Sequence, residues 1–180
     1  MSKRALRAVA LGALVLTLGV GAYAVAGGDA RNFRASPLTG FEENPDLSTT
    51  GRGSWTARLS ANGTTLRYTL TFSRLEGTVT QSHIHFGKRA INAGISMWLC
   101  QTATNPAPTA GIPTCPAAGG SVSGELTAED VVGPAPQGIA PTEFAEIIAA
   151  MRAGRAYVNV HSSKYGGGEI RAQIRVVAGD

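Results

Sequence analysis

The sequence is poor in the residues that most often carry chemistry, with three histidines, two cysteines and 6% aromatic residues in 180. Three histidines are too few for a dinuclear copper–zinc centre, although they suffice to bind a single ion. No serine stands in the G-x-S-x-G pattern of a nucleophile elbow, and Ser82 points away from its neighbour His83 if both lie on a strand. A hydrolase is therefore disfavoured, and the histidines become the residues of interest.

The first residues have the composition of a targeting segment. Lys3, Arg4 and Arg7 precede an apolar run at 8–20, and small residues at 22–26 offer cleavage sites. This pattern is typical of a secretory signal peptide, with a retained membrane anchor as the alternative. We expect a signal peptide over 1–26, one secreted domain over 27–180 in the extracellular or periplasmic space, and no membrane span after cleavage.

The net charge is close to zero once this segment is removed. It contains three of the 16 basic residues and leaves 13 basic against 12 acidic residues, a net charge of +1. Basic residues scattered singly along a near-neutral chain predict that nucleic acid is not a partner. An exported protein of this kind is expected to bind an unidentified extracellular protein or surface ligand.

The two cysteines, Cys100 and Cys115, would enter an oxidising compartment, and the segment between them is rich in Thr, Pro, Ala and Gly. A disulfide that closes this loop is the favoured interpretation. A thiolate metal site shared with the histidines is the alternative, and it is disfavoured because exported thiols usually oxidise in pairs.

Alternation of apolar and polar residues predicts a protein made mostly of strands. The alternating runs are 33–38, 54–59, 66–73, 81–86, 95–99, 121–126, 156–161 and 169–177. Asn62-Gly63 suits a tight turn between the second and third runs. One helix is predicted from Pro141 to Gly154, where apolar residues recur at helical spacing. About eight short strands predict an all-β, antiparallel β-sandwich, immunoglobulin-like or superoxide-dismutase-like, with one short helix.

All three histidines lie in two of these runs. Side chains two apart on a strand share a face, so His83 and His85 project together while Ile84 points to the core. The same parity puts His161 on the polar face of its own strand. If the two strands belong to one sheet, three neutral imidazoles would meet and form a site for Cu(II) or Zn(II).

Polar neighbours on these strands suggest how the imidazoles would be oriented. Asn159 or Glu169 is expected to hydrogen-bond an imidazole without binding the metal, and Arg171 shares the strand face of Glu169. In the alternative interpretation the histidines bond only to backbone groups or to Glu169, and Glu169 forms an ion pair with Arg171.

Five segments, in order, resemble the CHRD (chordin-type) domain. They are 38–45, matching "L-x-G-x-x-E-x-P"; 66–70, matching the family's second strand; 83–87, matching "H-I-H-x-G"; 151–162, matching "G-x-x-Y-V-N-V-H-T/S"; and 168–171, matching "G-E-I-R". Ala172 stands where the family usually has Gly, and the loop at 101–120 is long. The resemblance covers 33–176 and implies a single extracellular all-β module of the secreted bacterial type.

The function implied by this resemblance is that of a binding or structural module, rather than an enzyme. The cysteine-rich repeats that accompany growth-factor binding in chordin-like proteins are absent from the sequence. The H-x-H run followed by Gly87 is also similar to the strand that carries copper ligands in Cu,Zn superoxide dismutase. A copper-dependent redox protein of the extracytoplasmic space is therefore the alternative function, although similarity of fold carries no activity by itself.

Overall fold

The computed structural model describes residues 30–178, and these form two antiparallel sheets packed face to face. The expected signal peptide, 1–26, lies outside the described residues. The strands are β1 Asn32–Leu38, β2 Arg52–Leu59, β3 Leu66–Ser73, β4 Val79–Phe86, β5 Ile95–Cys100, β6 Gly120–Leu126, β7 Ala156–Ser162, β8 Ile170–Gln173 and β9 Arg175–Val177, with one α-helix, α1 Phe144–Arg152, between β6 and β7. Three short 3-10 helices lie at Gly40–Glu42, Ala128–Asp130 and Ala135–Gln137. The predicted all-β sandwich with one helix is confirmed.

Sheet order brings distant segments together. The larger sheet has the order β6-β3-β2-β1-β9, and the smaller sheet has the order β5-β4-β7-β8. β2 and β3 form the predicted hairpin, in which Gly63 has a φ of 74°, a conformation that glycine adopts without strain. β4 and β7, which carry all three histidines, are direct neighbours in the smaller sheet.

The prediction of one strand over 169–177 is wrong. β8 pairs with β7 in the smaller sheet, whereas β9 pairs with β1 in the larger sheet. The chain changes sheets at Ile174, which is fully buried and donates its N–H to the carbonyl of Ala156. Alternation alone does not reveal such a crossing, because both halves keep a strand-like pattern.

The core lies between the two sheets and under the helix. Inward residues of the larger sheet, such as Trp55 and Leu70, are fully buried, as are Ile84 and Val158 of the smaller sheet. The apolar stripe of α1 is buried as predicted and packs on this core. Among residues 30–178, no helix has the length and apolar character needed to cross a membrane.

Cys100, at the end of β5, forms a disulfide with Cys115, as predicted. The bridge closes a loop with a sequence separation of 15. In the chain-entropy model, a loop of this size contributes about 3 kcal/mol by restricting the unfolded chain.

We expect the double variant Cys100→Ser/Cys115→Ser to lose about 3 kcal/mol of unfolding free energy, because its unfolded chain is no longer cross-linked. Urea unfolding of the oxidised protein and of the variant measures the difference. Reduction of the wild-type protein should reproduce the loss. A variant as stable as the oxidised protein would show that the bridge contributes nothing to stability.

Candidate metal centre

Strand register gathers the histidines on the outer face of the smaller sheet. His83 lies opposite Asn159 and His85 opposite Tyr157, while His161 lies opposite Gln81 and therefore diagonal to His83. The rings of His83 and His161 have centroids 4.9 Å apart, and those of His83 and His85 are 5.4 Å apart. One nitrogen of each imidazole lies within 4.8 Å of the others. The predicted convergence of the three rings is thus present.

This face is buried, although its strand parity suggests a polar and exposed side. His83 is fully buried, and His85 and His161 are each 7% exposed. Loops at opposite ends of β4 and β7 supply carbonyl groups that contact the rings. Ala93 O lies 2.9 Å from His85 Nδ1, and Gly166 O lies 2.9 Å from His161 Nδ1. The imidazoles are therefore held beneath loops and away from bulk solvent.

The carbonyl contacts decide the tautomers of two rings. A carbonyl only accepts, so His85 and His161 each carry their proton on Nδ1, which leaves each Nε2 unprotonated. His161 Nε2 lies 3.2 Å from His83 Nδ1. The Nε2 atoms of His83 and His85 are buried and have no partner among the described residues. His85 and His161 therefore each present an unprotonated Nε2 from a ring whose Nδ1–H is held by a backbone carbonyl, which is the arrangement found in metal-binding histidines.

Burial also keeps the imidazoles neutral. It lowers the pKa of His83 to about 2 and the pKa of His85 to about 4, and it lowers the pKa of His161. Neighbouring imidazoles add to the effect on His83, because a second positive charge would be repelled. All three rings are therefore uncharged at neutral pH, the form that binds a metal ion.

Aromatic side chains flank the ligand set. Tyr157 stacks on His85 with ring centroids 4.7 Å apart and an interplanar angle of 4°. The guanidinium of Arg171 lies 3.4 Å from the centre of the Tyr157 ring. Trp98 of β5 contacts His83 edge to face, with centroids 4.4 Å apart. These packed rings restrict the rotation of His83 and His85.

Asn159 and Glu169, which the sequence suggests as hydrogen-bond partners of the imidazoles, do not bond to them. Asn159 donates to Glu43 Oε1 at 2.9 Å. Glu169 Oε1 accepts from Thr49 Oγ1 at 2.7 Å and from the Glu76 N–H at 2.6 Å. Asn159 and Glu169 therefore brace the loops that border the cluster.

The alternative ion pair between Glu169 and Arg171 is not formed. Arg171, which is 2% exposed, stacks on Tyr157 and donates to the carbonyl of Lys88 at 3.3 Å. None of the ion pairs found within residues 30–178 joins it to Glu169. Glu169 Oε1 is instead engaged by Thr49 and a backbone amide, and Glu169 Oε2 is buried without a partner among the described residues.

Glu43 is a buried carboxyl group that the sequence reasoning missed. It is 5% exposed, and burial raises its pKa to about 8, against the opposing effects of Arg171 and the bond from Asn159. Its only sequence signal is its place in the "L-x-G-x-x-E-x-P" stretch. Tyr157 had a clearer signal, since it shares strand parity with Asn159 and His161.

These shifts predict a stability maximum near pH 6.5 for the metal-free protein. The folded-state pKa values of the histidines are depressed, so protons bind the unfolded chain first and stability is lost as pH falls below about 6.5. The pKa of Glu43 is raised, so its contribution is lost as pH rises from 4.5 towards 8. Between pH 4.5 and 6.5 the three histidines make stability rise with pH, whereas the one carboxyl makes it fall. The effect of the histidines is the larger.

We expect the melting temperature in the presence of a chelator to fall on both sides of this maximum. The acid limb should be steeper, with a slope of up to about 2.7 kcal/mol per pH unit for two net protons. Glu43→Gln, which mimics the protonated carboxyl, should flatten the alkaline limb and steepen the acid limb, because the carboxyl no longer opposes the histidines. A melting temperature that is constant between pH 4.5 and 6.5 would contradict the neutral state of the buried imidazoles.

The comparisons with known proteins give one finding. A family model described as the CHRD domain matches residues 34–174, most of the chain and all three histidines. No curated protein and no solved structure gives a match.

Proposed function

The chain belongs to the CHRD family, and we propose that it is an exported module that binds one copper or zinc ion through His83, His85 and His161. The observation that carries the proposal is the convergence of three neutral, buried imidazoles, two of which present an unpartnered Nε2. Buried polar nitrogens without partners are rare in folded proteins, because each costs the free energy of its lost hydration. A bound ion would satisfy them.

The geometry of the cluster fits one ion. Two nitrogens bound to the same ion at 2.0–2.1 Å lie about 2.8 to 4.2 Å apart, depending on the angle between the two bonds. The ligand nitrogens of the cluster already lie within 4.8 Å of one another. A small rotation of the rings would therefore complete the set, and imidazole nitrogen is a ligand that both copper and zinc accept.

Export is part of the proposal. The disulfide between Cys100 and Cys115 fits an oxidising compartment, and the amino-terminal pattern of the sequence fits a cleaved signal peptide. Together they support an extracellular or periplasmic location, where the protein would act as a binding or structural module. Secretion is tested by sequencing the amino terminus of protein recovered from outside the cytoplasm.

Calorimetric titration with Cu(II) and with Zn(II) tests the metal site. We expect one ion per chain, and we expect His161→Ala to abolish saturable binding. Gln81→Ala is the matched control, because Gln81 lies directly opposite His161 on the same face but offers no imidazole. Absence of a saturable heat with either metal, or unchanged binding by the His161 variant, would refute the proposed function.

A copper-dependent redox protein is the second candidate. Within residues 30–178, the cluster contains three imidazoles and no carboxylate or thiolate. A site with three protein ligands leaves a coordination position for an external molecule, as catalytic sites do. Catalytic removal of superoxide or oxidation of a reductant by the copper-loaded protein would support this function. A copper-loaded protein with neither activity would be a metal-binding protein without redox catalysis.

A further inference from the structure

A row of arginines crosses the exposed face of the larger sheet, far from the histidines in the fold. Arg67 of β3 lies directly opposite Arg58 of β2, and Arg34 of β1 lies directly opposite Arg175 of β9. Arg34 and Arg58 are diagonal neighbours, since Arg34 pairs with Thr56 two residues before Arg58. One arginine on each of four successive strands forms this arginine row, which spans about 14 Å across three strand spacings.

The arginine row is almost without acidic neighbours. All four arginines are exposed. Glu125 is the one acidic residue in the five strands of this sheet, and its carboxylate lies 2.9 Å from Arg67. None of the ion pairs that join described residues includes Arg34, Arg58 or Arg175.

Such an arrangement is unfavourable in the protein alone. Like charges directly opposite each other on neighbouring strands destabilise a sheet, and this happens twice in the arginine row. An anion that bridged the guanidinium groups would remove the repulsion. Each guanidinium also presents a planar fork that matches the two oxygens of a carboxylate or a sulfate group.

The surroundings of the arginine row indicate what kind of anion fits. A shallow groove of about 560 Å³ runs along it and is lined by Asn32, Thr56 and Thr69 as well as three of the arginines. Beside it, hydroxyl groups form cross-strand pairs, Thr69 with Ser123 at 2.8 Å and Thr71 with Ser121 at 2.7 Å. Hydroxyl and amide groups hydrogen-bond to the hydroxyl groups of sugars.

The same face lacks the features that other polyanions require. The four aromatic residues of these strands, Phe33, Trp55, Tyr68 and Phe72, are all buried. Single-stranded nucleic acids are bound by stacking bases on exposed aromatic rings. A surface that inserts into lipid presents several large apolar side chains, whereas Val177 is the one large apolar side chain that this face of the described strands exposes. An extended, hydroxyl-rich polyanion fits the groove better than either.

We propose that the arginine row and its hydroxyl-lined groove bind an acidic polysaccharide, carrying carboxylate or sulfate groups, on the outer face of the larger sheet. This surface would position the exported module on an anionic polymer outside the cell and leaves the histidine face free. Binding is expected to weaken strongly as salt is raised from about 0.1 M to 1 M, where the screening length falls from about 10 Å to 3 Å.

The test measures binding of the purified protein to heparin, a sulfated polysaccharide, and to polygalacturonate, a carboxylated one, with neutral dextran as the control polymer. The triple variant Arg34→Gln/Arg58→Gln/Arg175→Gln should bind at least about tenfold more weakly. The matched control Lys88→Gln/Arg89→Gln/Arg155→Gln removes the same charge from other exposed positions and should bind as the wild type does. Equal losses in the two triple variants would overturn the proposal.

Two further variants distinguish binding at a specific surface from attraction that depends only on the net charge of the protein. Glu125→Gln releases Arg67 from its ion pair and should strengthen binding, whereas Glu146→Gln on α1 makes the same charge change and should have no effect. Replacing the three arginines with lysine keeps the charge but removes the fork, so an intermediate affinity is expected. If duplex DNA or anionic lipid vesicles bind as tightly as the polysaccharides, the assignment to polysaccharide is wrong.

Folding of the triple variant is checked by its melting temperature, which should be at least that of the wild type, because both like-charge pairs are removed. If the triple variant does not fold, Arg58→Gln is measured alone, because removal of one charge from the pair with Arg67 relieves repulsion and is tolerated. Unchanged polysaccharide binding by a folded Arg58→Gln protein would also count against the proposal.

Discussion

Copper or zinc at 100 times its dissociation constant is expected to raise the unfolding free energy by about 2.7 kcal/mol, because the ion binds only the folded chain. For a domain of this size the melting temperature should rise by roughly 5 to 11 °C. Removing a ligand from a set of three should weaken metal binding by about 100-fold or more, so His83→Ala and His161→Ala should show no such rise. Thermal melts with and without added metal measure the effect.

A chelator provides the first control in these melts. A chelator added after the metal should return the melting temperature to that of the metal-free protein. Gln81→Ala should keep the full metal-induced rise, since its side chain belongs to the same row as His161 but is not an imidazole. A rise that persists in both histidine variants would place the bound ion elsewhere on the chain.

Gly168→Ala is expected to destabilise the fold by about 3 kcal/mol or more. Gly168 has a φ of 127°, a conformation that residues with a side chain rarely adopt. A Cβ atom there would lie 2.1 Å from Asn159 Nδ2 and 2.8 Å from Glu43 Oε1. The substitution would therefore break the bond between two buried polar groups as well as strain the turn before β8. Urea unfolding measures the change.

The neighbouring Gly167→Ala is the matched control for this prediction. A Cβ atom at Gly167 would have no atom within 4 Å. Its effect should stay within about 0.5 kcal/mol, as for most surface substitutions. Equal effects at the two positions would contradict the close packing of Gly168 against Asn159 and Glu43.

Strand parity is the part of the architecture that the sequence predicts best. Alternation located β1 to β7 because each of these strands packs one face on the core, and Asn62-Gly63 marked the hairpin that joins β2 and β3. Alternation has no information on which strands become neighbours. The change of sheet at Ile174 and the gathering of the arginine row both depend on that register, so basic residues that look scattered in the sequence lie together in the fold.

The candidate site, like the fold, is predicted only in part by the sequence. Parity alone predicts that His83 and His85 share a face and that His161 projects with Tyr157, because these are local properties of a strand. The loop carbonyls of Ala93 and Gly166 that fix two tautomers come from backbone atoms, which have no signature in the side-chain sequence. Burial of this face follows from the loops that cover it, and no local pattern predicts it.

The most direct measurement of the central claim is electron paramagnetic resonance of the Cu(II)-loaded protein carrying ¹⁵N-labelled histidine. The chain has three histidines, and all three lie in the cluster, so any imidazole coupling reports on this site. We predict one copper per chain, with nitrogen couplings that change on labelling and are reduced in His83→Ala, His85→Ala and His161→Ala. A copper spectrum that does not respond to the label would contradict binding at the three histidines.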